Sequence, residues 1–240
     1  MNFIVKLADK CIEINSVYPE SKVFLKDYLI LDDSPDFSIT VSEQDVRAEQ
    51  ELSEDKNFSL AYLETLALLR KLAEVLPSHK RILMHGASIE YKEKAYLFTA
   101  PSGTGKSTHI RLWKKYLGAD VKIVNGDKPF ISLENAPRIY GSPWAGKENW
   151  HRNCSAPLSG ICFVQRGTHN SIRKIEAADC LSFLFKQVYL PTDSCAAGLT
   201  LELIDTLVKK VPLYLLTCDM SEEAVQCSFK ALTGLAYPNT

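Results

Sequence analysis

Residues 97–108 read Leu-Phe-Thr-Ala-Pro-Ser-Gly-Thr-Gly-Lys-Ser-Thr: an apolar run, a glycine-containing turn, and a Lys-Ser pair that opens a helix. That order builds an anion cradle. Backbone N–H groups of Gly103, Thr104 and Gly105 can converge on a phosphate, and the positive end of the following helix adds to the attraction. Lys106 has the reach for terminal phosphates, and the Ser107 hydroxyl is a ligand for Mg²⁺. The expected cradle is Ser102, Gly103, Thr104, Gly105, Lys106, Ser107 and Thr108, with a nucleotide as its ligand. One position departs from the usual pattern: Ala100 stands where a glycine is common.

A second group belongs to the same chemistry. Asp127 lies 21 positions after Lys106, at the end of the next expected strand, residues 121–124. A carboxylate there can reach the ion that Ser107 touches, since Mg²⁺ is held by one or two carboxylates together with phosphate oxygens and water. Asn125-Gly126-Asp127 is also good turn chemistry with no metal at all.

The elements that must carry these residues are legible as periodicity. Residues 3–5, 23–25, 28–31 and 37–41 are short β-favouring runs separated by polar turns, including one over residues 32–36. Leu60, Leu63, Leu66, Ala67, Leu69, Ala73 and Leu76 mark a helix over residues 59–76 that Pro77 stops. Two β-like stretches, 82–89 and 95–99, flank a charged turn and read as a hairpin. Strands are expected at 130–133, 159–165 and 211–217. Helices are expected at 177–187, 199–210 and 221–232, the last with Ser221 as its capped start. A Gly/Pro/Trp-rich loop covers 141–153. The expected architecture is α/β: a central mixed sheet with flanking helices over residues 81–240, preceded by a mainly β layer with one helix over residues 1–80. One continuous globular unit is the alternative.

Composition narrows the function classes. The 240 residues are 46% apolar and 24% charged, with a net charge of −1, so no polyanion-binding surface is expected and nucleic acid is not an expected partner. No apolar run approaches membrane-spanning length, so no membrane partner is expected either. Residues 1–14 carry Lys6, Asp9, Lys10 and Glu13 and lack the apolar core of a signal peptide. Seven scattered cysteines without a Cys-x-x-Cys pair fit reduced thiols in the cytoplasm rather than a zinc site.

The short Lys106–Asp127 spacing resembles that of the HPr kinase/phosphorylase catalytic domain and the phosphoenolpyruvate carboxykinases. His85-Gly86 before the cradle, Gly141-Ser142-Pro143-Trp144-Ala145-Gly146-Lys147, and Ala156-Pro157-Leu158 leading into a strand are similar to segments of the same group. The resemblance covers roughly residues 80–217. It implies an ATP-dependent kinase (another nucleoside triphosphate is equally compatible) with Mg²⁺, acting on a serine hydroxyl of a small protein or peptide. HPr kinases carry two adjacent aspartates at this strand end. Here Gly126 replaces the first, so either Asp127 takes both roles, or another group is the base, or turnover is slow.

Other candidates surround this pair. His85 is readable as a group near the transferring phosphoryl or as a structural histidine. Lys147, Arg152 and Arg166 are candidates to neutralise charge on the γ-phosphate, with Lys147 preferred because it sits in the glycine-rich loop. Glu148 is readable as a metal ligand or an acceptor-site carboxylate. Trp144 and Trp150 are readable as an acceptor pocket or as core. The catalytic set expected is therefore Lys106, Asp127, His85 and Lys147, with Ser107 and Asp127 on the metal. Two further functions stay open: a nucleotide-binding sensor or scaffold with little turnover, and a kinase of a free small molecule such as an amino acid. Homo-oligomerisation is left open.

Overall fold

The computed structural model describes residues 1–31, 34–53 and 57–238. Strands β1 (Asn2–Leu7) and β2 (Lys10–Asn15) form an antiparallel hairpin, followed by the short helix α1 (Glu20–Phe24). Strand β3 (Phe37–Thr40) adds to β2 in parallel, and helices α2 (Glu43–Leu52) and α3 (Leu60–Val75) pack beside this three-stranded sheet.

The chain then builds a nine-stranded mixed sheet. Its elements are β4 (Arg81–Leu83), β5 (Ala87–Tyr91), β6 (Lys94–Thr99), α4 (Lys106–Leu117), β7 (Val121–Asn125), β8 (Phe130–Ser132), β9 (Arg138–Tyr140), β10 (Ser155–Arg166), β11 (Ser171–Ile175), α5 (Ala177–Phe185), α6 (Ser194–Lys210), β12 (Leu213–Cys218) and α7 (Glu222–Thr233). The fold is thus mixed α/β. The long β10 organises the sheet. Its first residues pair antiparallel with β9, while its later ones lie parallel between β6 and β12. On the far side of β6 come β5 and then β7, so the ends of β6 and β7, which carry the candidate residues, are separated by a single strand.

Three apolar clusters fill the layers. Helices α4 and α7 cover one face around Phe98, Trp113 and Phe229, and α5 and α6 supply residues to a second cluster with Ile161 and Leu213. The third joins the N-terminal sheet and α3 to Leu83, Phe130, Tyr140 and Trp144 of the larger sheet and its loop. Glu64, buried on α3, accepts hydrogen bonds from the Val17 and Tyr18 amides and the Ser21 hydroxyl, which anchors α1 to α3. Among the described residues no helix is long and apolar enough to cross a membrane.

Several local expectations need correction. Residues 23–25 lie largely in α1 rather than in a strand, since Ser21 docks on Glu64 while Val23 points outward. Residues 28–31 hold one isolated bridge, Val5 to Leu29, after a 3₁₀ turn. The polar segment of α2 is a helix that periodicity does not announce: Ser42 and Asp45 close a reciprocal capping box at its start. Residues 82–89 are not one strand. The amide of His85 bonds Gln187 O and that of Gly86 bonds Asp127 O, so the chain leaves one half of the sheet and enters the other. The turn at 32–36 falls partly outside the described residues. Ser221 does not cap α7; its hydroxyl bonds Asp219 Oδ1 instead.

The core under α4 holds a titratable group. His109, Trp113 and Ser228 form a buried polar cluster, with Ser228 Oγ 2.9 Å from both His109 Nε2 and Trp113 Nε1. Burial pushes the His109 imidazole down from 6.5 to about 4, and its Nδ1 has no hydrogen-bond partner. The unfolded chain therefore takes up a proton near pH 6.5 that the folded chain refuses until about pH 4, and stability falls as pH drops through that window. The loss should approach roughly 3 kcal/mol. Denaturant titrations at pH 7 and pH 4.5 should show it in the wild type, and His109→Gln should flatten the difference. An equal pH dependence in both would show that His109 is not the source.

Candidate functional site

The loop between β6 and α4 turns on two glycines in the left-handed region, Gly103 at φ 76° and Gly105 at φ 121°. A Cβ at either would meet nothing within 4 Å, so conformation, not space, calls for glycine there. Gly105 occupies the N-cap of α4, with no side-chain cap and no acidic residue in the first turn. The helix end thus presents backbone N–H groups and positive partial charge that no side chain neutralises. Lys106 is buried, and its ammonium folds back to donate to Ala100 O at 2.8 Å and Pro101 O at 3.3 Å. Burial pushes its pKa down, opposed by the charge of Asp127.

Asp127 is positioned by the fully buried Asn125. The Asn125 amide nitrogen donates to Ser142 O and Ser142 Oγ, and its oxygen accepts from the backbone N–H groups of Asp127 and Lys128 at 2.8 and 2.7 Å. This Asx turn aims the carboxylate back at the loop. Asp127 Oδ1 lies 3.2 Å from His85 Nε2, and Oδ2 accepts from Lys128 Nζ at 3.1 Å. Burial pushes the carboxyl up, but the hydrogen bond from His85 and the charge of Lys128 outweigh it and hold the pKa down to about 2. His85 is itself tied from behind: Gln187 Oε1 lies 2.9 Å from Nδ1, and Thr99 Oγ1 donates to His85 O at 2.8 Å.

These groups share one cavity of about 450 Å³. It brings together Ser102, Gly103, Gly105, Lys106, Ser107 and Thr108 with His85, Asp127, Lys147 and Glu148. Lys147 is exposed on this cavity and makes no ion pair among the described residues. Thr104 lies outside it, on the outer side of the loop, where Arg166 grips its carbonyl at 3.2 Å and also that of Gly103. Arg152 does not line the cavity and is exposed. Trp144 is buried against Phe24 and Phe130 and donates to Thr65 O at 2.9 Å, while Trp150 packs on the cluster under α4, so neither forms an acceptor pocket with this cavity. Cys162 is in the core.

Residues 126–127 answer why a second aspartate is missing. A Cβ on Gly126 would sit 2.8 Å from the backbone oxygen of Ala145, closer than packing permits. Asn125, Lys128 and Gln187 are site residues that the motif reading did not assign. Asn-Gly-Asp carried a signal for the first, whereas nothing in the local sequence around Gln187 points to His85. Among the described residues no three His, Cys, Asp or Glu side chains cluster as a self-sufficient metal site.

The sequence matches no protein-family model and no curated protein. Among solved structures, the chain is similar to the Hpr(Ser) kinase/phosphatase from Coxiella burnetii, at 12% identity over 63% of this chain and 93% of that one, with a TM-score of 0.36.

If Asn125 holds the site together, Asn125→Ala should cost about 2–3 kcal/mol, since it strands the Asp127 amide and the polar groups of Ser142 in a buried setting. Urea denaturation measures this. A loss below about 0.5 kcal/mol would show that the Asx turn is dispensable.

Proposed function

We propose that the chain is a Mg-ATP-dependent phosphotransferase that phosphorylates a hydroxyl, with serine on a small protein or peptide as the acceptor. The observation that carries this reading is a single cavity in which an uncapped helix start and Lys106 face an ionised carboxylate, Asp127. One wall suits phosphate oxygens. The other suits a metal or an acceptor hydroxyl.

The donor set fits Mg²⁺. Ser107 Oγ and Asp127 are hard oxygen ligands, and a site with one carboxylate is completed by phosphate oxygens and water. Bound there, the ion would neutralise charge on the β- and γ-phosphates. Each oxygen of Asp127 has a lone pair beyond the one its present partner uses.

The chain's own residues supply positioning and charge. The backbone of residues 103–108 receives the phosphates. Lys106 exchanges two carbonyl partners for phosphate oxygens, so its charge is held in reserve at the site it serves. Lys147 reaches the cavity from the opposite loop and adds positive charge where negative charge develops. The acceptor oxygen bonds the γ-phosphorus as the bond to the departing ADP oxygen breaks, and the hydroxyl proton passes to Asp127. His85 fixes the carboxylate's orientation. A carboxylate held near pKa 2 is a weak base, which suits a reaction in which positioning and electrostatics outweigh proton abstraction.

A second reading, nucleotide binding with little turnover, is favoured by Gly126, where the backbone leaves no room for another carboxylate. Measuring transfer beside binding separates the two.

Lys106→Met keeps the aliphatic stem and should raise the Mg-ATP Kd by at least tenfold in calorimetry, with little change in the urea midpoint. Asp127→Asn should keep ATP affinity within about an order of magnitude yet lose roughly 100-fold or more of Mg²⁺-dependent transfer. Equal ATP affinity in wild type and Lys106→Met would remove the phosphate site. Wild-type transfer by Asp127→Asn would leave Asp127 as a turn residue.

A further inference from the structure

A second cavity, about 550 Å³, lies behind the glycine loop. It shares Ser102 and Gly103 with the cavity of Asp127, so only the loop separates the two. One part of its wall is apolar: Phe163 and Val164 of β10, Leu215 of β12, and Phe183 of α5, whose ring centroid is 6.2 Å from that of Phe163. Phe183 is 41% exposed, so one edge of its ring stays open to a molecule entering the cavity.

Charge at this cavity has one sign. Lys186 and Arg166 are its ionisable lining residues, and no Asp or Glu lines it. Arg166 already spends donors on the Gly103 and Thr104 carbonyls, whereas Lys186 is exposed with no ion-pair partner among the described residues. The cavity is also wired to the reactive group. Gln187, buried in its wall, contacts His85 Nδ1 at 2.9 Å, and His85 Nε2 contacts Asp127.

A nucleotide in the cradle needs room for its nucleoside, and a third cavity of about 410 Å³ offers it along α4, beside Thr108, His109 and Leu112. It shares Gly103, Gly105 and Thr108 with the cavity of Asp127, so it opens directly from the cradle. The cavity behind the loop is then left for the other substrate.

We propose that this cavity binds the acceptor, and that it selects a molecule carrying a bulky apolar group next to an anionic one, such as a carboxylate. The ring or aliphatic chain fills the space between Phe163, Phe183 and Leu215. The anion meets Lys186, and the hydroxyl passes the Ser102 side of the loop toward Asp127. This inference rests on the phosphotransferase reading for its chemistry, but its binding claim stands apart from ATP.

The test uses 3-phenylpropionate as the probe, with 3-phenylpropanamide as its uncharged match, in ligand-observed NMR titrations of the whole chain. Phe183 and Lys186 are both exposed, so Phe183→Ala and Lys186→Gln should fold. The propionate should bind wild type, weaken about tenfold or more in Phe183→Ala, and weaken severalfold in Lys186→Gln, while the amide ignores the lysine change. AMP should not displace it, and Lys106→Met should bind it normally. With acceptor peptides, a serine flanked by phenylalanine and an acidic residue should outperform its alanine-flanked match, and Phe183→Ala should erase that preference. Absence of propionate binding, equal binding by both variants, or displacement by AMP would each overturn the proposal, the last by giving the cavity to the nucleoside. Propionate binding without Mg-ATP binding would keep the cavity and sink the phosphotransferase reading; Mg-ATP binding without propionate binding would do the reverse.

Discussion

The buried amide of Asn125 is the joint on which the site depends. A side-chain amide sealed from water must find partners for its donors and its acceptor, and here they belong to two different segments. Its nitrogen holds the Ser142 backbone and hydroxyl, while its oxygen holds the amides of Asp127 and Lys128. The loop after β7 and the loop after β9 are thereby locked to each other, and Ser142 Oγ closes the circuit on Lys128 O at 2.6 Å. The turn fixes where the Asp127 backbone sits, and His85 and Lys128 then hold the carboxylate oxygens.

Electrostatics complete what the turn begins. Asp127 sits between His85 and Lys128, and Lys106 waits on carbonyl oxygens nearby. Bringing a carboxylate into a partly buried cavity is costly unless cations accompany it. The hydrogen bond from His85 and the charge of Lys128 keep it ionised, and an ionised carboxylate is the form that a divalent metal or a donating hydroxyl requires. The uncapped start of α4 is a similar unmet demand. Backbone N–H groups at a helix start are satisfied by a side chain, by water or by a ligand, and this helix brings no side chain of its own.

The N-terminal sheet and helices contribute support. Trp144 leaves the glycine-rich loop to bury its ring in their core and to donate to Thr65 O, which anchors the loop that carries Gly146 and Lys147 to the cavity. Pinning the loop at Trp144 costs conformational freedom once, during folding, so that ordering need not be met again when a ligand arrives.

Local sequence determined much of this. The glycines and Lys106-Ser107 between an apolar strand and an amphipathic helix specify their own geometry, because left-handed φ values and an open helix start are properties of a few adjacent residues. The α3 helix and the strands β6, β7, β10 and β12 were legible for the same reason: burial on one or both faces imprints a period or an unbroken apolar run. What could not be read depends on partners distant in the chain. Trp144 looked available for a pocket because nothing near it in sequence shows that Thr65 and Phe24 receive it. The strand 82–89 looked continuous because its break at His85 is made by Gln187 and Asp127, about 100 and 40 positions away. Gln187 and Lys186 come to the site only because α5 crosses the sheet face. The residues thus determined by themselves which local chemistry was present, while only the tertiary structure decided which groups face one another across a cavity, since hydrogen bonding and burial between remote segments leave no local period to read.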